Sequence, residues 1–419
     1  MAIKSWQIIS SITLITSVTI LMQIPSNTWL SSATASLILG ASALACMASS
    51  CLLASRWRGV EWLFGGLDSV YEMHKWLGIW ALVFAAYHLV FKAELDAWAL
   101  ASILELPKFW ARLVRQLSFV VLGLIVLLAL NRNIPYGNWR WLHKLSGPLF
   151  LIVILHGLSI ESPITLFSPA GIWLALLCTV GVIAALYKML LYPFIAKSSE
   201  YKVSRVLRSN SALHLEFEPV HKGLAFEAGQ FAFISFQQSG LREPHPFTIA
   251  NAPSDNGHLC FLIRESGDYT KQLGKTVTVG MLADIYAPYG TFKRRKNAKR
   301  EIWIGAGVGI SPFMSWLEDN TIGHFEQATL VYCFNPTRAL PSAEHMQAMT
   351  VQSGAHFVAN ASGGDALADT LHQAAHTTNP QDIHISFCGP KSLLQRVEEL
   401  MKQNGIPIKN IHYECFDFR

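Results

Sequence analysis

The chain has 419 residues, enough for two or three domains, with a net charge of +5 and 51% apolar residues. So small an excess of charge, without a basic stripe interleaved with aromatics, argues against nucleic acid as a partner. The seven cysteines, at 46, 51, 178, 260, 333, 388 and 415, include no Cys-x-x-Cys pair, which excludes zinc ribbons, covalently attached haem and iron–sulfur clusters; no disulfide is expected.

Long apolar runs fill residues 1–195. A bilayer core of about 30 Å needs about 20 apolar residues per helix, and six segments qualify or come near: 6–24, 30–53, 74–92, 116–131, 143–160 and 171–194. The first has a long apolar stretch and no prompt small-residue cleavage site, so it is expected to be a retained helix rather than a signal peptide. Basic residues at Lys4, Arg56, Arg58, Arg132, Arg140, Lys144, Lys188 and Lys197 place both termini in the cytosol of an inner-membrane protein. The loop 92–115, with Lys92, Lys108, Arg112 and Arg115, runs against that rule.

Four histidines fall inside these spans. His74 opens HKWLG and His143 opens HKLSG, a weak internal repeat. His88 follows His74 by 14 residues, and His156 follows His143 by 13. At 1.5 Å per residue each gap is about 20 Å long, so two such helices offer two levels with an imidazole from either side. Filling both axial positions with imidazole suits a low-spin electron-transfer haem. Interhelical hydrogen bonding is the ordinary alternative for such residues. A 14-residue gap returns to within about 40° of the starting face of an ideal helix, whereas 13 residues miss it by about 140°. Pro148 lies in the second gap and removes a helical hydrogen bond; tightening toward a 3₁₀ turn would correct the phase.

From residue 200 the pattern changes to short alternating runs broken by Gly and Pro, predicting a small antiparallel barrel up to about 296. The basic stretch KRRKNAKR, 293–300, reads as a linker. Beyond it, IWIG, ATLVYCF, AHFVAN and IHISFCG alternate with helical segments, the pattern of a doubly wound parallel sheet. HPFTIA at 245–250 is the most specific string, similar to the aromatic-x-Ser/Thr string that lies along a flavin in the ferredoxin-reductase superfamily. RESGDYT supplies Arg264, Gly267 and Thr270, suited to the FAD pyrophosphate, and APYGT at 287–291 is a glycine turn typical of the same barrel. GAGVGISP at 305–312 follows a strand and opens a helix, where glycines admit a pyrophosphate, although Ile310 occupies the last glycine position of the dinucleotide fingerprint. Arg338, after the second strand of this region, stands where a 2′-phosphate of NADPH would lie; a solvated loop arginine is the alternative.

Taken together, these strings resemble the NADPH oxidase and ferric reductase superfamily over nearly the whole chain, and the compact prokaryotic NADPH oxidases above all. The resemblance implies a membrane all-α six-helix dihaem bundle at 1–195, an antiparallel β-barrel FAD domain at 196–298 and an α/β doubly wound NAD(P)H domain at 299–419. It implies that His74 with His143 binds the inner b-type haem and His88 with His156 the outer one. It implies that His245, Pro246, Phe247, Thr248, Arg264, Gly267 and Thr270 hold FAD. Gly305, Gly307, Gly309, Pro312, Cys388, Gly389 and Pro390 would line the nicotinamide nucleotide site, with Cys388 beside the nicotinamide. The C-terminal IHYECFDFR is similar to that of flavohaemoglobin-type reductases, where an aromatic covers the flavin; Phe416 matches it and Phe418 is the reserve. Arg58, Arg140 and Lys144 would meet inner haem propionates, and Arg112 and Arg115 outer ones, unless they only anchor the headgroup region.

The implied activity is transfer of electrons from cytosolic NADPH, or NADH, through FAD and two haems to an acceptor outside: oxygen giving superoxide, or a ferric or cupric chelate. A relay to a periplasmic partner protein, and a tethered reductase whose helices only anchor, are further readings. No regulatory partner is evident in the sequence.

Overall fold

The computed structural model describes residues 4–415 apart from 132, 135, 210–211, 296–297, 320 and 322. Arg132, Phe416 and Phe418 therefore lie outside the described residues, as does the side chain of Arg58. The chain divides into two compact units, Met1–Ile195 and Ala196–Arg419.

The first unit is helical: α1 Ser5–Leu21, α2 Ser32–Ala54, α3 Arg58–Phe64, α4 Leu67–Val90, α5 Lys108–Leu130, α6 Tyr136–His143, α7 Ser146–Ser159, α8 Pro169–Leu186 and α9 Tyr192–Ile195. The capping chemistry is local: the Ser31 hydroxyl accepts from Thr34 N, and the Ser168 hydroxyl accepts from Gly171 N with Pro169 at the first helical position. Four stretches are long and apolar enough to cross a membrane among the described residues: Ser32–Ala54, Lys108–Leu130, Asn138–Ser159 and Pro169–Leu191. Helix α1, at 17 residues, is shorter, and α4 carries Asp68, Glu72 and Lys75 in its first turns. Helices overlap all six expected segments, with three shifts, the fourth beginning eight residues earlier than expected at Lys108. The third begins seven residues earlier than expected, after Gly65 and Gly66, whose positive φ of 80° and 133° sets the turn. The fifth is interrupted between His143 and Ser146.

The interruption eases the phase problem of the 13-residue gap, its two tightened bonds recovering about 40° of the roughly 140° shortfall. Leu145 N bonds to Leu142 O at 3.0 Å and Gly147 N to Lys144 O at 3.4 Å, both three residues back rather than four. Each residue wound this way adds about 20° of rotation over the α-helix, which carries His156 toward the face of His143.

The second unit holds a six-stranded antiparallel sheet in the order β4-β3-β6-β1-β2-β5, from β1 Ser198–Ser209, β2 Ala212–Pro219, β3 Phe231–Phe236, β4 His245–Thr248, β5 Leu259–Arg264 and β6 Leu282–Tyr289. A bridge between Ile249 and Phe261 nearly joins its two edges, giving an almost closed barrel. Alternation fills it: Leu213, Leu215 and Phe217 of β2 point inward with Leu259, Phe261 and Ile263 of β5, all buried. Helix α10, Asp268–Thr276, links β5 to β6. Then come β7 Arg300–Ala306, α11 Ser311–Glu318, β8 Ala328–Phe334, α12 Ala343–Gln352, β9 His356–Ala361, α13 Ala366–Thr377, β10 Ile383–Cys388, α14 Lys391–Gln403 and β11 Ile411–Glu414. The five strands are parallel in the order β11-β10-β7-β8-β9, so the strand order reverses at β7, beside β10.

The stretch 293–300 is more than a linker. Arg294 is buried and bonds bidentately to Glu301, Nη2 to Oε1 at 2.8 Å and Nε to Oε2 at 3.0 Å, with side chains 7% and 5% exposed. Glu301 also accepts from Trp303 Nε1 at 3.0 Å. Glu301→Gln is therefore expected to leave a buried guanidinium without its counter-ion and to destabilise the second unit by about 3–5 kcal/mol, measured as a lowered denaturant midpoint in detergent-solubilised protein. An unchanged midpoint would contradict the burial.

Candidate electron-transfer site

Helix α2 runs antiparallel to α4 in a register fixed by two hydrogen-bonded pairs. His88 Nδ1 faces the Ser36 carbonyl at 3.0 Å, and His74 Nδ1 faces the Ser50 carbonyl at 3.0 Å. The serines are separated by the same 14 residues as the histidines. A carbonyl can only accept, so each Nδ1 carries the proton. The hydroxyls agree with this. Ser36 Oγ donates to the Phe91 carbonyl at 2.6 Å and accepts from His88 Nδ1 at 3.1 Å. Ser50 Oγ lies 2.8 Å from His74 Nδ1 and 3.4 Å from the His74 carbonyl. With the proton on Nδ1, each Nε2 keeps a lone pair for a metal.

A second imidazole faces each of these. The ring centroids of His74 and His143 are 5.8 Å apart, and those of His88 and His156 are 6.5 Å apart. Two imidazoles ligating one metal atom at about 2 Å each place their ring centres roughly 6 Å apart. Among the described residues, Nδ1 of His143 and Nδ1 of His156 are buried without hydrogen-bond partners, which an apolar interior tolerates poorly. Trp139 stacks on His143 at 5.1 Å and 19°. Gly78, one turn beyond His74, has nothing within 4 Å of where a Cβ would be, so open space lies beside that ring. Gly40, one turn after Ser36, does the opposite service: a Cβ there would come within 2.6 Å of His88 Nδ1. The donor set thus fits a haem at each level, with open space shown beside the His74 pair.

Ser36, Gly40 and Ser50 were not singled out in the sequence. The signal was present as a helix rich in small residues, SLILGASALACMASS at 36–50, whose first and last serines stand at the spacing of the histidines. Lys144 lies at the break after His143, while Arg112 and Arg115 are exposed on the first turns of α5.

In the second unit, β4 places its string against β3, with Phe231 opposite Thr248, Ala232 opposite Phe247, Phe233 opposite Pro246 and Ile234 opposite His245. His245 stacks on Tyr269 with ring centroids 3.6 Å apart. Burial holds the Tyr269 phenol above its ordinary range, so it stays protonated and donates to the Leu241 carbonyl at 3.2 Å. Gly267 is the N-cap of α10, and Ser266 N and Gly267 N both donate to Thr270 Oγ1 at 3.0 Å. Thr270 thus shapes the turn, with two of its amides already occupied.

The glycine string lies between β7 and α11. A Cβ on Gly305 would meet Ile310 and Phe313, and one on Gly309 would collide with the Cys388 carbonyl. Gly307 has φ 55° and leaves 3.0 Å between its missing Cβ and Arg264 Nη2. Gly389 presses on Ala306, and Pro390 caps α14. Arg264, Gly307 and Pro390 line a cavity of about 470 Å³ with Asn360, Asp365 and Arg396. Arg338 sits on an exposed turn, outside that lining; Arg264 and Arg396 are its two arginines. Cys388 and Pro312 are buried in the core of the α/β layer. Arg396 was missed because α14 reads as an ordinary amphipathic helix; its proximity to Cys-Gly-Pro was the available signal.

The chain matches the family model described as ferric reductase like transmembrane component over residues 39–154, and that described as FAD-binding domain over 198–302. It is 24% identical over 222 residues to the flavohemoprotein of Pseudomonas aeruginosa, covering 46% of this chain and 51% of that one. It is 29% identical over 109 residues to NADPH oxidase 1 of Mus musculus, covering 25% of this chain and 18% of that protein. The chain thus spans about half the length, or less, of these curated relatives. A crystal structure of flavohemoglobin from Malassezia yamatoensis with bound FAD and heme shares its fold at a TM-score of 0.50 and 16% identity, over 90% of this chain and 94% of that one. In these two segments the chain is similar to the ferric reductase transmembrane component and to a FAD-binding domain, the pairing that the NADPH oxidase and ferric reductase resemblance implies. It joins a helical unit with several stretches long and apolar enough to cross a membrane to a second unit that begins with a match to a FAD-binding domain.

Gly309→Ala is expected to push the turn off the Cys388 carbonyl, costing about 1–3 kcal/mol by overpacking and weakening NADP⁺ binding. Calorimetric titration with NADP⁺ against the parent checks it, and parental affinity in a normally flavinated variant would contradict the assignment of the turn.

Proposed function

We propose that the chain is a six-span inner-membrane oxidoreductase, both termini cytosolic, that moves electrons from cytosolic NADPH to oxygen on the opposite face, giving superoxide. The observation that carries this reading is the pair of facing imidazoles at each of two levels about 20 Å apart along α4. When bound, FAD accepts the hydride and divides its electron pair into single electrons, and two b-type haems conduct them across the bilayer.

The remaining roles belong to the chain's own residues. His74 and His143 would hold a haem at one level, His88 and His156 at the other. Held by two protein imidazoles each, such haems would supply single-electron transfer rather than oxygen binding. Ser36 and Ser50 orient the α4 imidazoles and keep their tautomer. Arg264 and Arg396 balance nucleotide phosphates in the cavity, and Asp365 offers an acceptor for a ribose hydroxyl. That acceptor leaves NADH in contention as donor, with Arg338 relegated to a solvated turn. His245, Pro246, Phe247 and Thr248 lie along the flavin on this reading, with Tyr269 supporting His245.

The match to the ferric reductase component favours a second reading, reduction of a chelated ferric ion by the same wiring. Cytochrome c reduction by detergent-purified protein separates the two. Superoxide dismutase abolishes it for the oxidase and leaves reduction of a ferric chelate untouched for the metal reductase.

Ser36→Ala is expected to lower haem affinity at the His88–His156 level by about tenfold, the low end of such effects, because the Ser36 carbonyl remains as an acceptor. Haem retained through gel filtration in competition with apomyoglobin measures it. Loss confined to one of two spectrally distinct haems is the expected result; equal loss from both contradicts the register.

A further inference from the structure

The outer face of β2 and β5 carries a cluster apart from the residues assigned above to flavin and nucleotide. His214 and Glu216 alternate with the barrel core on β2, and Cys260 of β5 pairs directly opposite Glu216. His258 precedes β5 and turns to the same spot. Glu216 Oε1 lies 3.9 Å from His214 Nε2, and Glu216 Oε2 lies 3.7 Å from His258 Nε2. Cys260 Sγ lies 3.7 Å from His258 Nδ1 and 3.9 Å from its Nε2. The ligand atoms of His214, Glu216 and Cys260 all fall within 4.8 Å of one another.

We propose that His214, Glu216, His258 and Cys260 form a binding site for a divalent transition metal of the zinc class. Tetrahedral zinc with bonds of about 2.0–2.3 Å to nitrogen, oxygen and sulfur has donor-to-donor edges of roughly 3.3–3.6 Å. The observed separations exceed these by a few tenths of an ångström for three of the contacts, which side-chain rotation closes. The charges also match. A thiolate and a carboxylate neutralise a divalent cation, while two imidazoles add no charge. The Cys260 thiol gives up its proton to solvent as the metal–sulfur bond forms, with no change of oxidation state.

The competitors for these donors are weak or distant. Arg205 Nη1 lies 3.3 Å from Glu216 Oε1, but its side chain is 59% exposed, and exposed pairs of this kind hold little. Glu318, at the end of α11, is engaged by Ala252 N at 3.1 Å. The four donors are each partly buried, open enough for entry and dry enough for a firm bond. A metal here would clip β2 to β5, whose last residue is Arg264, and so stiffen the strand that reaches the nucleotide cavity.

The test uses the full chain in detergent, stripped with a chelator and titrated with Co²⁺ and with Zn²⁺. Wild type is expected to bind about one Zn²⁺ per chain in excess of the His258→Ala variant, and to show with Co²⁺ a sulfur-to-metal charge-transfer band in the near ultraviolet. Zn²⁺ is expected to raise the temperature at which flavin fluorescence is released. Cys260→Ser abolishes the band, and His258→Ala weakens Zn²⁺ binding at least tenfold while flavin and haem content stay at the wild-type level. A missing band in wild type overturns the proposal. So does a band that survives Cys260→Ser, or a Zn²⁺ affinity unchanged in His258→Ala.

Discussion

The membrane unit depends on the antiparallel register between α2 and α4. Two Nδ1–carbonyl contacts, each 3.0 Å long, lock that register at positions 14 residues apart on both helices. Inside an apolar bundle a buried polar hydrogen is costly unless satisfied, so sliding α2 by even one residue would orphan both imidazoles at once. The small residues of α2 let the backbones come close enough for a histidine ring to reach a main-chain carbonyl. Gly40 shows how tight that approach is, since no side chain fits beside His88.

The same constraint explains the division of labour among the four histidines. Those on α4 are held from behind and have their tautomer fixed before any ligand arrives. Those on α6 and α7 have Nδ1 atoms without partners among the described residues and rely on the break at residues 144–145 to turn both toward one face. A prepared pair facing a less prepared pair is a reasonable arrangement for a site that must admit a large planar group, on the reading that haem is what it admits. In the second unit the corresponding rigidity comes from close backbone contact instead. Gly309 against the Cys388 carbonyl and Gly389 against Ala306 bring the ends of β7 and β10 together where the strand order reverses, the usual place for a nucleotide in such a sheet.

Much of this was legible in the sequence because periodicity and glycine placement are local signals. The helical segments, the barrel and the parallel sheet followed from alternation and from runs of apolar residues. The four histidines stood out as polar residues at membrane depth. What the sequence hid was non-local. The 3₁₀ bonds at 145 and 147 depend on Pro148 and on packing, so the sequence suggested a tightening without locating it. Ser36 and Ser50 are ordinary in a small-residue helix until α4 is laid against them. Arg294 reads as one more cation in KRRKNAKR, and only folding buries it on Glu301. Arg338 was the arginine the turn after β8 offered, and it lies exposed there, while the cavity beside Gly307 is lined by Arg264 and by Arg396 of a later helix.

The central claim is that paired imidazoles at two depths hold two porphyrins. The direct measurement is haem stoichiometry by pyridine haemochrome on purified protein, compared with His156→Leu. The account predicts about two haems per chain in the parent and about one in the variant, with flavin content equal in both. A parent without porphyrin, or a variant that retains the full complement, would contradict it.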